Sequence, residues 1–282
     1  MPIRTIGVIG AGTMGAGVAQ IAITAGLEVI LIDVSDAAVE RGLDIIKANL
    51  ERMVEKGKLT ESDKDTALSL VRRATTFDAL RPAEVVIEAA NEDLDLKLNL
   101  LRQVDALVST ETIVASNTSS ISITKLAAAI SHSDRFIGMH FFNPVPAMSL
   151  VEIVRGLQTS DATHDAIESL VLQLGKSPIT VKSGPGFLVN RILMPMVNEA
   201  FFVLAEGDAS ATEVDEGMKL GCNHPIGPLA LADLIGLDVL LAVMQTLHDE
   251  FADSKYRPCP LLKEMVAAGY LGRKSGRGVY RY

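Results

Sequence analysis

The stretch Thr5-Ile6-Gly7-Val8-Ile9-Gly10-Ala11-Gly12-Thr13-Met14-Gly15 decides the fold. Its first five residues form a short apolar run typical of a buried strand, and the spacing G-x-G-x-x-G follows. In a strand–turn–helix unit, the first glycine permits a tight turn, the second lets the backbone approach a pyrophosphate, and the third allows close packing. The N–H groups at the start of the next helix face the phosphate charge. We therefore predict a dinucleotide-binding turn made by Gly10, Ala11, Gly12, Thr13, Met14 and Gly15.

A carboxylate ends the next predicted strand. Asp33 stands 18 residues after Gly15, near the spacing expected for an acidic residue that hydrogen-bonds the ribose 2′-hydroxyl of the cofactor. Because a carboxylate also repels a 2′-phosphate, Asp33 favours NAD over NADP. Two alternatives stay open: Asp33 is an ordinary turn or helix-capping residue, or the site also tolerates NADP.

Short apolar runs alternate with longer amphipathic segments through the first half of the chain, a pattern typical of strands buried on both faces and joined by helices. Apolar residues recur at helical spacing over 35–56, where Ser35 or Asp36 is suited to the N-cap. The pattern indicates a Rossmann-like α/β domain with a mostly parallel sheet. Its strands are predicted at 5–9, 29–33, 85–89, 113–116, 136–140, 150–154 and 179–181.

The character of the sequence changes at the turn-forming cluster of residues 183–186. No convincing strand follows until the extreme C-terminus, and helices are predicted at 187–205 with a kink at Pro195, at 212–220, and after Pro228. The second of these begins with the capping-box residues Ser210 and Glu213, and Gly221 is predicted to end it. We predict an NAD-binding domain at 1–183 and an all-helical domain for substrate binding and dimerisation at 184–282.

Composition excludes several classes of protein. The chain has 282 residues, 48% of them hydrophobic, and a formal net charge of -9, which argues against general binding to nucleic acid or to anionic membranes. The two most apolar stretches, 187–205 and 229–247, contain charged residues and are read as buried helices rather than membrane spans. With two cysteines and a start that lacks signal-peptide character, we expect a reducing, cytoplasmic location.

Several separate motifs, in a fixed order, resemble those of the short-chain L-3-hydroxyacyl-CoA dehydrogenase family. The similarity spans nearly the whole chain. The length of the chain and its terminal motifs are most like those of bacterial members of that family. The motifs are Ser116-Asn117-Thr118-Ser119-Ser120, His140-Phe141-Phe142-Asn143-Pro144-Val145-Pro146, Leu150-Val151-Glu152, Gly184-Pro185-Gly186-Phe187-Leu188-Val189-Asn190-Arg191, Asn223-His224-Pro225-Ile226-Gly227-Pro228 and Gly272-Arg273-Lys274-Ser275-Gly276-Arg277-Gly278.

The resemblance implies roles for four residues. His140 is the catalytic acid/base, Glu152 is its partner, and Ser119 and Asn190 lie against the substrate's 3-oxygen. The chemistry needs such groups, because hydride leaves C3 only if the hydroxyl proton is taken up, and histidine ordinarily titrates near pH ~6.5. Without the family, His140 reads as a core histidine, Glu152 as an exposed strand position, and Ser119 and Asn190 as helix-capping residues.

Further positions follow from the same resemblance. Glu92, Lys97, Ser119, Asn143 and Lys274 match cofactor-side residues; the alternative for most of them is a solvated loop or helix face. Many relatives carry a basic residue where Ser149 stands, which leaves the charge at the mouth of the site open.

Arg52 and Lys56 lie where the family receives the CoA phosphates, although neighbouring Glu51 and Glu55 make an ordinary charged surface an equal alternative. The five histidines are not at ligand spacing, and hydride transfer to NAD needs no metal, so we expect none.

The implied activity is hydride transfer between NAD and C3 of a short-chain (S)-3-hydroxyacyl-CoA, in a cleft between the two domains of a homodimer joined through its helical domains. Two other classes stay open. One is a small hydroxyacid dehydrogenase that uses a catalytic lysine, against which the histidine and glutamate argue. The other is a dinucleotide-binding protein without activity.

Overall fold

The computed structural model describes residues 3–282. Met1 and Pro2, on which part of the signal-peptide prediction rests, lie outside the described residues. The chain divides into two compact units, Met1–Ser183 and Gly184–Tyr282. Both cysteines are free thiols. Within residues 3–282 no single helix is long and apolar enough to cross a membrane, while the pair Pro228–Ile235 and Leu237–Phe251 passes by length and composition with a bend of 98°.

The first unit is built on an eight-stranded sheet in the order β3-β2-β1-β4-β5-β6-β7-β8. The strands are β1 Thr5–Ile9, β2 Glu28–Ile32, β3 Val71–Ala74, β4 Val85–Glu88, β5 Ile113–Ser116, β6 Phe136–Phe141, β7 Leu150–Arg155 and β8 Ser177–Lys182. The helices are α1 Thr13–Thr24, α2 Asp36–Glu55, α3 Glu61–Ser69, α4 Leu94–Asp105, α5 Ile123–Ala127 and α6 Asp161–Gln173.

The sheet is parallel except at one place. Strands β6 and β7 pair antiparallel, and β7 then pairs parallel with β8. Helices pack against buried Val, Ile and Leu side chains of the strands, and this packing forms the core of the unit. The prediction of a Rossmann-like, mostly parallel sheet is therefore confirmed.

Most strand predictions agree with the structure to within two residues, and one strand is missed. Strand β3 has the sequence Val71-Arg72-Arg73-Ala74 and lies at the edge of the sheet, where it pairs only with β2. An edge strand is partly exposed and needs no continuous apolar run. Its two arginines therefore interrupt the apolar pattern by which the other strands were predicted. Ser35 is confirmed as the N-cap of α2, since its hydroxyl accepts the N–H of Ala38.

The second unit is helical. Its helices are α7 Val189–Glu206, α8 Ala211–Cys222, α9 Pro228–Ile235, α10 Leu237–Phe251 and α11 Pro260–Ala267. The capping box of Ser210 and Glu213 is confirmed at the start of α8. The predicted end at Gly221 is wrong, because α8 continues to Cys222 and its C-cap is Asn223, whose φ of 56° is left-handed. Asparagine tolerates this conformation better than most residues.

Candidate active site

The glycine turn joins β1 to α1 with the geometry that its spacing predicts. A Cβ atom at Gly15 would lie 1.7 Å from the carbonyl oxygen of Gly10, and one at Gly10 would lie 2.7 Å from that of Ala89. A Cβ atom at Gly12 would meet nothing within 4 Å. Gly12 is the N-cap of α1, and the first N–H groups of a helix have no partners within the helix. The turn therefore offers an open backbone surface of N–H groups, which suits a pyrophosphate.

Asp33 lies beside this turn, directly after β2. One carboxylate oxygen accepts the N–H of Ala11 at 2.7 Å and the other accepts the N–H of Val34, also at 2.7 Å. A carboxylate has about four lone-pair positions, so Asp33 keeps acceptor capacity for a ribose hydroxyl. The residues of the turn and Asp33 thus fit the adenosine and pyrophosphate of NAD.

His140 and Glu152 face each other across the antiparallel strands β6 and β7. They are register partners on β6 and β7, and Nδ1 of His140 lies 2.6 Å from Oε2 of Glu152. His140 is 5% exposed and Glu152 is fully buried. Because an ionised carboxylate only accepts hydrogen bonds, Nδ1–H donates to Glu152 and the tautomer is fixed. The pair has the geometry of an acid/base histidine held by a carboxylate.

Ser119 lies in the loop after β5, where Glu92 gathers its hydrogen bonds. One oxygen of Glu92 accepts the hydroxyl of Thr118 at 2.6 Å, the N–H of Ser119 at 2.9 Å and the N–H of Ser120 at 3.0 Å. Burial favours the neutral carboxyl, but these hydrogen bonds and the charge of Lys97 outweigh it and hold the pKa of Glu92 below its ordinary value. Glu92 is therefore an anion that orders the loop carrying Ser119.

Lys97 is buried, contrary to the alternative of a solvated helix face. Its ammonium donates to Glu88 at 2.7 Å and to the carbonyl of Ala90 at 3.0 Å, and lies 3.6 Å from Glu92. Lys97 is 1% exposed. Its charge therefore lies beneath the surface and acts on Glu88 and Glu92. Any influence on a cofactor passes through them.

Asn190 and Lys274 belong to the second unit. Asn190 is the second residue of α7 and is 8% exposed. Lys274 forms an ion pair with Asp238 at 2.6 Å. Burial raises the pKa of Asp238, but the hydrogen bond and charge of Lys274 prevail and the pKa lies below its ordinary value.

The remaining predicted residues are exposed. Asn143 is the second residue of the loop after β6, Arg52 lies in the last turn of α2, and Lys56 is the C-cap of α2. None of the ion pairs within residues 3–282 includes Arg52 or Lys56, so both charges face solvent. In the same part of the chain, no group of three or more histidine, cysteine, aspartate and glutamate side chains could hold a metal ion.

Sequence reasoning missed two residues that support the site. Glu88 is fully buried and also accepts the hydroxyl of Ser116 at 2.6 Å. Asn117 accepts the N–H of Phe141 at 2.9 Å through its side-chain oxygen, and so joins the end of β5 to the residue after His140. An acidic residue at the end of an apolar strand was the available signal for Glu88. Asn117 lies in the motif of residues 116–120, but that motif assigns it no role.

A parallel sheet with an open glycine turn after its first strand, and a carboxylate after its second, defines a dinucleotide-binding protein. Residues 5–184 match the family model described as "3-hydroxyacyl-CoA dehydrogenase, NAD binding domain", and residues 186–282 match "3-hydroxyacyl-CoA dehydrogenase, C-terminal domain". The chain therefore belongs to the 3-hydroxyacyl-CoA dehydrogenase family, and it is an NAD-dependent dehydrogenase.

Individual relatives are similar along the whole chain. A crystal structure of (S)-3-hydroxybutyryl-CoA dehydrogenase PaaH1 from Ralstonia eutropha has 64% sequence identity and a TM-score of 0.98, covering 99% of both chains. The 3-hydroxybutyryl-CoA dehydrogenase of Bradyrhizobium diazoefficiens is 51% identical over 99% of this chain and 96% of its own length. A probable 3-hydroxybutyryl-CoA dehydrogenase of Bacillus subtilis is 48% identical over 100% of this chain and 98% of its own length. The family resemblance and the prediction of NAD are confirmed.

Proposed function

We propose that this dehydrogenase interconverts short-chain (S)-3-hydroxyacyl-CoA and 3-ketoacyl-CoA, above all 3-hydroxybutanoyl-CoA and acetoacetyl-CoA, with His140 as acid/base. The observation that carries the proposal is the buried contact of 2.6 Å between His140 and Glu152. The choice of acyl group follows the names of the relatives.

His140 exchanges the proton of the 3-hydroxyl group through Nε2. In the oxidation direction it takes this proton, and the imidazolium that forms is stabilised by the carboxylate of Glu152 at Nδ1. In the reduction direction it returns the proton to the 3-oxygen. NAD, when bound, supplies the site that accepts the hydride from C3.

Ser119 and Asn190 are proposed to donate hydrogen bonds to the 3-oxygen, where negative charge develops. Glu92 orders the loop that bears Ser119 by accepting its N–H at 2.9 Å and its hydroxyl at 3.3 Å. Because a hydroxyl has a single O–H, that group turns from Glu92 to the 3-oxygen in this proposal, while the backbone bond keeps the loop in place.

Further proposals concern the cofactor. Asp33 binds the ribose 2′-hydroxyl, and Asn143 and Lys274 each contact the cofactor directly. Glu92, together with Lys97, shapes the part of the site that receives the nicotinamide end. Asp33 has the acceptor capacity for this contact, and Glu92 remains 37% exposed. Arg52 and Lys56 are proposed to attract the phosphates of CoA, because no ion pair within residues 3–282 neutralises either of them. A basic side chain in that position lowers the energy of a nearby phosphate anion.

A homodimer joined through the helical unit is part of the proposal. Large apolar side chains of that unit are exposed, including Leu188 at 38%, Ile192 at 64% and Leu220 at 81%. Leu188 and Ile192 are four positions apart at the start of α7, and neighbouring exposed apolar side chains are typical of protein interfaces. A native mass of two chains at micromolar concentration is expected, and a monomeric mass would remove this part of the proposal.

Turnover of acetoacetyl-CoA with NADH tests the function, with free acetoacetate as the control. We expect rapid oxidation of NADH with the thioester and little with the free acid. Comparable rates with both would favour a hydroxyacid dehydrogenase, and NADH binding without turnover would favour a dinucleotide-binding protein. A series of acyl-CoA substrates of rising length then defines the pocket, since each methylene changes binding by about 1–3 kcal/mol.

A further inference from the structure

A buried lysine that takes no part in the proposed chemistry holds the loop between β6 and β7. Lys176 lies between the end of α6 and the start of β8 and is 9% exposed. Its ammonium donates to three backbone carbonyls of that loop: Val145 at 2.7 Å, Pro146 at 3.3 Å and Met148 at 2.8 Å. All three donors of the ammonium are thus directed at one short segment.

This lysine has no carboxylate partner among residues 3–282. No ion pair in the described part of the chain includes Lys176, and burial lowers its pKa. The only groups that compensate the buried charge are the dipoles of backbone carbonyls. Such a cation stabilises the fold less than an apolar side chain of the same size would. Departures of this kind from the rules of folding occur mainly where function requires them.

The loop it holds spans 142–149 and connects the strand of His140 to the strand of Glu152. Within the loop, the carbonyl of Pro144 accepts the N–H groups of Ala147 and Met148, at 2.9 and 3.0 Å. These bonds form one tight turn, and the carbonyl groups near its end point to Lys176. The lysine therefore acts on this turn as a cation acts on the C-terminal end of a helix.

The other side of the loop rests on the helix that follows the glycine turn. Val145 is 2% exposed, and a Cβ atom at Gly17 of α1 would lie 2.8 Å from the Cβ of Val145. Backbone and side chain are thus in direct contact there, which only glycine permits. Lys176 and α1 enclose the loop from two sides, and Asn143 is its second residue.

We propose that Lys176 is a positioning residue for cofactor binding: its ammonium fixes the loop 142–149 against α1 and so sets the place of Asn143. The inference rests on the proposed function for the role of Asn143, but its test is NADH binding, which is independent of the acyl substrate. Lys176 itself contacts neither cofactor nor substrate in this proposal.

The decisive variant is Lys176→Met, which keeps the length of the side chain and removes the charge and the donors. Its matched control is Thr163→Val at the other end of α6, because Thr163 is 3% exposed and its hydroxyl donates to the carbonyl of Asp134 at 2.9 Å. Both variants remove buried hydrogen bonds from a side chain to backbone carbonyls, three at Lys176 and one at Thr163. Only the bonds of Lys176 reach the loop.

For Lys176→Met we expect the dissociation constant of NADH, measured by its fluorescence, to rise, and kcat/KM for NADH to fall about 10²-fold, as for a displacement of a binding group by about 1 Å. Thr163→Val should bind NADH as the wild type does, even if its melting temperature falls as far as that of Lys176→Met. Equal NADH binding by Lys176→Met and the wild type would overturn the proposal.

A second variant covers the case in which Lys176→Met does not fold. Lys176→Gln retains donor groups for the carbonyls, and an intermediate loss of NADH affinity is expected, whereas wild-type affinity in this folded variant would also overturn the proposal. If wild-type protein binds NADH but fails to reduce acetoacetyl-CoA, the proposed function is wrong, and the test of Lys176 keeps its meaning as a test of NADH binding.

Discussion

Buried carboxylates have different partners in the two units. In the sheet unit, Glu152 bonds to the imidazole of His140, and Glu88 bonds to the ammonium of Lys97. In the helical unit, Asp215 accepts the N–H groups of Leu229 and Ala230, at 2.8 and 3.0 Å, together with the hydroxyl of Tyr280 at 2.8 Å.

The same division holds for a second buried carboxylate of the helical unit. Asp233 is 1% exposed and accepts the N–H groups of Val279 and Tyr280, both at 2.9 Å. A carboxylate that bonds mainly to backbone N–H groups joins one segment to another. One that bonds to an imidazole can also control a proton. The partners of a buried charge thus distinguish a structural group from a candidate catalytic group, and substitutions can test the distinction.

The largest effect is expected at His140. His140→Gln should lower kcat by roughly 10²–10⁴-fold while NADH binding stays near normal, because the substitution removes an acid/base group and keeps a polar side chain of similar size. Steady-state kinetics with acetoacetyl-CoA and fluorescence titration with NADH measure the two quantities. Turnover near the wild-type rate would show that the partners of a buried charge do not identify the catalytic group.

A smaller effect is expected at Asp33, which accepts two backbone N–H groups and is proposed to accept a ribose hydroxyl as well. Asp33→Ala should reduce the preference for NADH over NADPH by about 10- to 100-fold, equal to about 1.4–2.8 kcal/mol, because the repulsion of a 2′-phosphate is lost. Asp33→Asn is the control that can still accept the N–H of Ala11. Unchanged ratios of kcat/KM in both variants would refute the ribose contact.

In the helical unit the expected effect is on stability. Asp215→Asn should lower the free energy of unfolding by about 2 kcal/mol, because a carboxylate with three donors becomes an amide. It should leave kcat per folded molecule near the wild-type value. Denaturant unfolding followed by kinetics on the folded fraction checks both statements. A large fall in kcat with intact folding would erase the contrast between the two units.

The smallest effect is expected at Tyr280 and depends on pH. Burial, and then the hydrogen bond to Asp215 and its negative charge, raise the pKa of Tyr280 above its ordinary value of about 10. The folded protein therefore keeps the phenol neutral at a pH where the unfolded chain ionises it. The stability that Tyr280 contributes is complete below about pH 10 and is lost as pH rises above that value towards the folded pKa.

The matched variant is Tyr280→Phe, which lacks the hydroxyl. We expect it to be about 1 kcal/mol less stable than the wild type near pH 8, with the difference shrinking between pH 10 and 11. Unfolding curves of both proteins across this range give the difference directly. A constant difference would show that Tyr280 does not keep its proton in the folded state.

Particular residues show how far the sequence predicts this molecule. The glycine turn, the N-cap at Ser35 and the capping box at Ser210 were predictable because each depends on a few adjacent residues. Strand β3 was not, since its two arginines are acceptable only at the edge of the sheet. The proposed partners His140 and Glu152 could be named from motifs, but their separation of 2.6 Å could not.

The sequence by itself determined the fold class, the cofactor and the position of the turn that receives it, because these follow from local backbone geometry and from the spacing of apolar residues and glycines. The tertiary structure alone decided which charges meet. The antiparallel register of β6 and β7 brings His140 opposite Glu152, the packing of α4 buries Lys97 beside Glu88, and the end of α6 places Lys176 beneath its loop. These contacts join residues far apart in the chain, and no local pattern encodes them.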